Sequence, residues 1–230
     1  MNVQKVAGRI EGKNILESLK ELIELYPGKV VFTTSFGIED QVISDIIFKN
    51  NLPVRVVTLD TGRLFEQTYK VWSNTLKIYG KTINAFAPDK NDIENLLNKK
   101  GPFSFYQSVE NRKECCHIRK VIPLDRALKG IECWITGIRA EHSPGRAGMN
   151  KVETDRARGI IKYHPLFEWS QKEVEDYIKE NKVPYNELHD KGFVSVGCAP
   201  CTRDIKEGED YKSGRWWWEN VNGKECGMHS

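Results

Sequence analysis

Apolar side chains recur along this chain in two alternating rhythms. Between Asn14 and Tyr26, residues Ile15, Leu19, Leu22, Ile23 and Leu25 share one helical face, and Pro27-Gly28 stops the run. Lys29 to Thr34 (KVVFTT) is β-branched and reads as a strand that enters the turn Ser35-Phe36-Gly37. From Glu39 to Lys49, Val42, Ile43, Ile46 and Ile47 return to helical spacing. Val54 to Leu59 (VRVVTL) is a second strand that ends in Asp60-Thr61-Gly62, and a helix over about Phe65 to Ile78 follows. Ile83 to Phe86, Glu132 to Thr136 and Ile160 to His164 read as further strands, and Ser170-Gln171-Lys172-Glu173 has the spacing of a capping box. Strands alternating with helices predict an α/β fold with a mainly parallel sheet, helices on both faces and ligands at the carboxyl ends of the strands. Arg139 to Arg158, with Pro144, Gly145 and Gly148, reads as a loop.

Length and composition narrow this further. A chain of 230 residues with 39% hydrophobic and 29% charged residues fits one α/β domain. Residues 1–219 are taken as that domain and 220–230 as a flexible arm, because Asn220 to Glu225 is polar and contains glycine. No apolar run approaches the roughly 18 residues of a membrane span, and no signal-like apolar stretch follows Met1. A cytoplasmic location is expected. The net charge of +3 comes from evenly spread residues rather than a basic stripe, which argues against a nucleic-acid partner and implies that any anionic ligand is small.

The cysteines carry the chemistry. Cys115 and Cys116 are adjacent, too close across a trans peptide for an ordinary disulfide. Cys198-Ala199-Pro200-Cys201 is a C-x-x-C knuckle, and 81 residues lie between Cys116 and Cys198. Adjacent thiolates chelate one zinc ion awkwardly but bind separate irons of a cubane cluster readily, so the spacing favours a cluster over zinc, with core cysteines as the plain alternative. Cys133 lies in an apolar strand and is assigned to the core. Cys226 has no apolar periodicity around it; it is a nucleophile if Lys224, His229 and Arg215 lower its pKa, and otherwise a bystander.

Three further segments are ambiguous on their own residues. Ser35-Phe36-Gly37 can point main-chain N–H groups at an anion, yet it also suits a simple strand-to-helix link. Asp60-Thr61-Gly62 combines ordinary turn residues with ribose-binding chemistry. Trp216-Trp217-Trp218, if helical, would spread its rings too widely to face one core, with Lys212 and Arg215 on one face as an anion clamp.

Taken together, the motifs resemble a known family. Ser35 to Gln41 (SFGIEDQ), Leu59-Asp60-Thr61-Gly62, Arg112 to Lys120 (RKECCHIRK), Thr136-Gly137-Ile138-Arg139, Gly197 to Arg203 (GCAPCTR), Gly214 to Glu219 (GRWWWE) and Glu225 to His229 (ECGMH) occur in the order found in the assimilatory adenylyl-sulfate reductases, over roughly residues 28 to 230. The resemblance implies an adenine-nucleotide α-hydrolase-like fold and a 4Fe–4S cluster on Cys115, Cys116, Cys198 and Cys201. It also implies Cys226 as the nucleophile in reduction of adenosine 5′-phosphosulfate to sulfite and AMP, with thioredoxin as a separate reductant. Phosphate or sulfate contacts are implied at Ser35, Gly37, Lys120, Arg139, Lys212, Arg215 and His229, and nucleoside contacts at Asp60, Thr61 and Gly62. Relatives that use the 3′-phosphorylated substrate generally lack the cluster cysteines, so their presence favours the unphosphorylated one. The chain departs from the family at Ala140 and His142, and at Lys212, where arginine is usual. A homo-oligomer is left open.

Overall fold

Period-two alternation along the strands decides how the molecule is layered. The computed structural model describes residues 3–142, 148–206, 208–211, 213–219 and 227–228. Its strands are β1 (Val30–Thr34), β2 (Arg55–Leu59), β3 (Asn84–Phe86), β4 (Cys133–Ile135), β5 (Val152–Asp155) and β6 (Ile160–Tyr163). They form one sheet in the order β3-β2-β1-β4-β6-β5. Neighbours pair in parallel, except that β5 runs antiparallel to β6. Val30, Phe32, Cys133, Ile135 and Ile161 belong to one buried layer, and Val31, Val57 and Trp134 to another. Both faces of the sheet are therefore covered, as the near-continuous apolar strands required.

The larger layer receives α1 (Val3–Ile10), α2 (Ile15–Leu25), α3 (Ile38–Lys49), α4 (Glu66–Tyr79) and α8 (Gln171–Asn181), and the smaller one α7 (Ile122–Ala127). Local signals set the ends of these helices. Asn14 caps α2 and Ser170 caps α8, each in a reciprocal box with a glutamate three residues on. Gly80, at φ 60°, ends α4 in the left-handed conformation that glycine adopts without penalty.

Several elements differ from the reading of the sequence. α1, α5 (Lys90–Lys100), α6 (Val109–Cys116) and α7 were not anticipated, and β5 lies inside the segment read as a loop. α6 escaped notice because its buried residues are Arg112, Cys115 and Cys116 rather than an aliphatic stripe. β5 has only four residues and pairs at the edge of the sheet. The tryptophan run is not helical. Trp216 has φ 45°, and none of the described residues 213–219 is helical; Arg215 forms an isolated antiparallel bridge with Thr202.

One buried carboxylate ties three helices together. Asp45 on α3 is fully buried and accepts from the hydroxyls of Tyr79 on α4 and Tyr177 on α8, the latter at 2.8 Å, while Lys49 pairs with it at 3.0 Å. Asp45→Ala leaves both phenols without their acceptor. It is expected to lower unfolding free energy by about 2–4 kcal/mol in urea titrations, and an effect under about 0.5 kcal/mol would contradict this role.

Candidate nucleotide and thiol site

The strand order creates a crevice. The chain passes from β1 to β2 and β3 on one side and places β4 and β6 on the other, so the direction of winding switches between β1 and β4. At the carboxyl ends of these strands lies a cavity of about 250 Å³. Thr34, Ser35, Gly37, Thr61, Thr136 and Gly137 line it from the strand ends, and Lys120, Ser195, Tyr211, Arg215 and Met228 from elsewhere.

The first turn is organised differently from the simple anion nest considered above. Phe36 takes φ 61°, with its ring buried and stacked on Trp72 at 5.5 Å. The Ser35 N–H and hydroxyl both donate to Asp40 Oδ2, at 2.6 and 2.8 Å, and the Phe36 N–H donates to Thr34 Oγ1 at 3.0 Å. These donors are held within the protein, so a ligand meets the Ser35 oxygen and the amino end of α3, whose first-turn N–H groups have no helical acceptor. Burial pushes the Asp40 carboxyl up to about 7, against the pull of the two Ser35 donors, and neighbouring Glu39 adds to the rise. A Cβ at Gly137 would sit 2.3 Å from Asp40 Oδ1, so glycine is required where the chain leaving β4 passes this carboxyl.

Two other expected contacts have structural partners. Asp60 Oδ1 accepts from the Gly62 N–H at 2.9 Å and from the Tyr69 hydroxyl at 2.7 Å, an Asx turn closed by Gly62 at φ 68°. The Arg139 guanidinium is 1% exposed and fully engaged. It donates to Glu39 at 3.0 Å, to Glu141 at 2.7 Å and to the Trp169 carbonyl at 3.2 Å, with Gln171 completing the set. Neither Asp60 nor Gly62 nor Arg139 lines the cavity.

The paired cysteines meet beside it. Cys115, Cys116, Cys198 and Cys201 line one small void together with Arg63, Arg112, Arg119 and Lys120. All four are buried and none is in a disulfide. Among the described residues no three cysteine, histidine or acidic side chains converge closely enough to hold a single metal ion. The thiols surround a space rather than a point, an arrangement suited to a multinuclear cluster and not to tetrahedral zinc. Burial and the nearby Cys198 and Cys116 push the Cys201 thiol up to about 12. Burial acts the same way on Cys198, but there Lys120, the Thr61 hydroxyl at 3.3 Å, Arg215 and Arg119 outweigh it, and its pKa falls.

Local geometry explains how these groups are gathered. α6 carries Cys115 and Cys116 and continues into a π-helical segment, His117–Val121, before α7. Such segments are short and concentrate at functional sites. This one buries Arg119, which donates to the Thr61 carbonyl at 2.6 Å, and Lys120, which lines both the cavity and the void. The second cysteine pair is pinned by the Ala199 N–H donating to the Arg63 carbonyl at 2.8 Å. Trp216 is packed among the thiols, with the guanidinium of Arg112 4.5 Å and that of Arg215 4.9 Å from its ring. The Arg215 guanidinium lies so close to Gly197 that a Cβ there would be 2.4 Å from it. Arg112 makes a buried two-pronged pair with Glu219, at 2.9 and 3.0 Å. Cys133 is apart from all of this, fully buried in the sheet, and burial pushes its thiol up to about 12.

Of the anticipated ligand contacts, then, Ser35, Gly37, Thr61, Lys120 and Arg215 share the cavity. Cys226, Lys212 and His229 lie outside the described residues, and because residues 213–219 are not helical, the helical spacing on which the Lys212–Arg215 clamp was expected does not hold. The sequence reading missed Asp40, Ser195 and Tyr211 as lining residues. Asp40 stood inside a recognised motif, whereas Ser195 and Tyr211 carry no local signal.

A nucleotide-sized crevice at the switch point of a doubly covered sheet, flanked by four gathered thiols, defines a nucleotide-binding redox enzyme. Residues 29–204 match the model of the phosphoadenosine phosphosulfate reductase domain, and the chain belongs to that family. It is 48% identical over 202 residues to an adenosine 5′-phosphosulfate reductase of Agrobacterium fabrum, an alignment covering 88% of this chain and 78% of the relative. The crystal structure of a phosphoadenylyl-sulfate reductase from Candida auris superimposes with a TM-score of 0.76 at 30% identity, over 87% of this chain and 96% of the other. An FMN adenylyltransferase of Candida glabrata shares the fold alone, with a TM-score of 0.56 at 15% identity over 99% and 76% of the two chains. The architecture is thus the adenine-nucleotide α-hydrolase-like fold.

The Asp40 carboxyl generates a prediction. A folded-state value near 7, above the ordinary value near 4, means the native state holds the proton more tightly than the unfolded chain. The stability this contributes is complete below about pH 4 and lost as pH rises through about 7. Asp40→Asn is expected to remove that slope and to make the ligand-free protein about 1–3 kcal/mol more stable than wild type at pH 8. Denaturant unfolding at pH 5 and pH 8 checks this, and parallel slopes in both proteins would refute it.

Proposed function

We propose that this chain reduces adenosine 5′-phosphosulfate to sulfite and AMP, with Cys226 as the nucleophile and thioredoxin, or a similar small dithiol protein, as the reductant. The observation that carries this reading is the shared wall: Lys120 lines both the nucleotide-sized cavity and the four-thiol void. The family membership agrees, as do the names of relatives at 44–48% identity, adenosine 5′-phosphosulfate reductases. The Candida auris relative favours a second reading, use of the 3′-phosphorylated nucleotide. The four cysteines favour the first.

In the proposed chemistry the nucleotide enters across the strand ends. Lys120 and Arg215 supply positive charge to its phosphate and sulfate groups, and the amino end of α3 and Thr61 face the same cavity. Charge-assisted contacts of this kind contribute about 1.5–3 kcal/mol each, enough in combination to offset dehydration of a dianion. The Cys226 thiolate attacks the sulfate sulfur. The sulfur–oxygen bond to the phosphate breaks, and AMP leaves with the electron pair. The enzyme then carries S-sulfocysteine. A reductant thiolate attacks the Cys226 sulfur and releases sulfite with the bonding pair. Its second thiol then frees Cys226, so the dithiol is oxidised to a disulfide. Lys212 and His229 are assigned to the sulfate end, and residues 220–230 to an arm that presents Cys226 first to the nucleotide and then to the reductant.

Cys115, Cys116, Cys198 and Cys201 are assigned as ligands of one 4Fe–4S cluster. Their fit rests on the donor set: four buried thiols around one void, with Arg63, Arg119 and Lys120 beside it to balance thiolate charge. A bound cluster would hold the two cysteine pairs together through iron–thiolate bonds, and with its four thiolates would carry net negative charge. The enzyme is placed in the cytoplasm, and among the described residues no helix is long and apolar enough to cross a membrane.

Three measurements test this reading. Anaerobically purified protein is expected to hold about four irons and four sulfides per chain. Serine at any of the four ligand positions should destabilise or abolish that content, while Cys133→Ser keeps it. One zinc without sulfide would refute the cluster assignment. In sulfite assays with thioredoxin, the unphosphorylated nucleotide should show the higher kcat/KM, and a ratio near one would indicate dual specificity. Without reductant, wild type should gain one SO₃ at Cys226 and release one AMP per chain. Cys226→Ser should make no sulfite while retaining iron, and turnover by that variant would disprove the mechanism.

A further inference from the structure

Beneath the floor of the cavity lies a buried polar network that the sulfur chemistry does not touch. Thr33 in β1 and Thr136, just past the end of β4, both line the cavity. Val31 pairs with Trp134 and Phe32 with Ile135, so one step further the two threonines stand side by side on neighbouring chains, about 4.8 Å apart at the backbone. Alternation puts them on the face that carries Val31 and Trp134. Leu59, Leu124 and Trp134, which pack on that face, line the same cavity. A flat apolar group with a few polar edge atoms suits such a surface, as a phosphate does not.

Each hydroxyl is oriented from below. Trp134 Nε1 can only donate, and it donates to Thr33 Oγ1 at 2.8 Å. The Thr33 oxygen is the acceptor in that bond, and no described residue takes its proton. Thr136 Oγ1 lies 2.7 Å from Nδ1 of His164, which is fully buried. His164 Nε2 faces Glu153 Oε1 at 3.4 Å, and this hydrogen bond, with lesser help from Lys162, holds the Glu153 carboxyl below its usual range. Lys162 is 2% exposed and sits 3.6 Å from Glu153, 3.8 Å from Asp155 and 5.0 Å from the centre of the Trp134 ring. Its ammonium balances the carboxylate, so the imidazole stays neutral, with its proton on Nε2 and a lone pair on Nδ1. Thr136 therefore gives its proton to His164 and can offer a ligand only an oxygen lone pair.

We infer that Thr33 and Thr136 read the edge of the nucleotide's base, Thr33 as donor and Thr136 as acceptor, with His164 as the positioning residue that sets the polarity of Thr136. The inference rests on the reading of the cavity as the nucleotide site. A 6-aminopurine offers an amino donor beside a ring-nitrogen acceptor, which complements this pair. A 6-oxopurine puts a carbonyl where the amino group was and an N–H beside it, setting oxygen against oxygen and proton against proton. His164 is not part of the cavity wall and acts only through Thr136.

The test titrates the full-length, anaerobically purified protein by calorimetry with AMP, inosine 5′-phosphate and the 2′- and 3′-deoxy forms of AMP. Wild type is expected to bind AMP at least about thirtyfold more tightly than inosine 5′-phosphate. Thr33→Val and Thr136→Val should each bring that ratio below about fivefold, and Thr136→Ser should keep it. His164→Leu should lower the ratio by strengthening inosine 5′-phosphate binding at least about threefold, because the freed Thr136 proton can turn to the carbonyl. Damage to the fold would weaken both nucleotides instead. His164→Asn, whose side-chain oxygen takes the place of Nδ1, should retain the wild-type ratio, and with the Thr136 variants it decides the matter if His164→Leu does not fold. Equal binding of the two nucleotides by wild type overturns the inference, as does a ratio that survives Thr136→Val. Variants that lose discrimination against a deoxy nucleotide while still preferring AMP over inosine 5′-phosphate also overturn it, by placing the threonines at the ribose. Failure of AMP to bind wild type would instead refute the nucleotide reading, and this inference with it.

Discussion

Burying positive charge next to sulfur is the constraint around which this structure is arranged. Arg112 and Arg119 are at most 6% exposed, and Lys120 only 9%. Cations removed from water in this way cost several kcal/mol each unless they are paired. Arg112 has Glu219 and the face of Trp216, and Arg119 has the Thr61 carbonyl. Each of these partners comes from a distant segment, so neutralising the charges also fixes the tryptophan run, the second strand end and the cysteine helix against one another. The sheet provides the floor, but this network sets where the walls stand.

The same economy of roles is visible at the crevice. Thr61 lines the cavity, offers its hydroxyl to Cys198 and its carbonyl to Arg119. Arg139 sits in a motif associated with anion binding, yet its guanidinium is occupied by Glu39, Glu141 and the start of α8. It braces the loop after β4 against α3 and α8, and the adjacent Gly137 lets Asp40 approach the strand end. Shape at this end of the sheet thus depends on groups that do not themselves face the cavity.

Much of the fold was legible from periodicity. All strands but β5, and the helices α2, α3, α4 and α8, follow apolar spacing, with a glycine stop at α4 and capping boxes at α2 and α8, and these local causes survive in the folded protein. α6 was invisible for the opposite reason: its inward face is arginine and cysteine, so its cause is tertiary. For the site, motif order in the sequence indicated Ser35, Thr61, Lys120 and the four cysteines. It could not separate residues that line the cavity from those, such as Asp60 and Arg139, that shape a turn or a brace. That distinction depends on where a side chain's donors are already committed, which only the three-dimensional contacts reveal.

The thiol void has a consequence for how the chain holds together. Its contacts join Thr61 to Cys198, 137 residues apart, and Arg112 to Glu219, 107 residues apart. Loop-closure entropy must be met before such distant pairings return any stabilisation. Thr61 follows closely on β2, so one end of the longer of these two loops is held by the sheet itself. The thiol chamber is therefore tied to the sheet beneath it: loosening the ends of β1 and β2 also loosens the walls that hold the cysteines together.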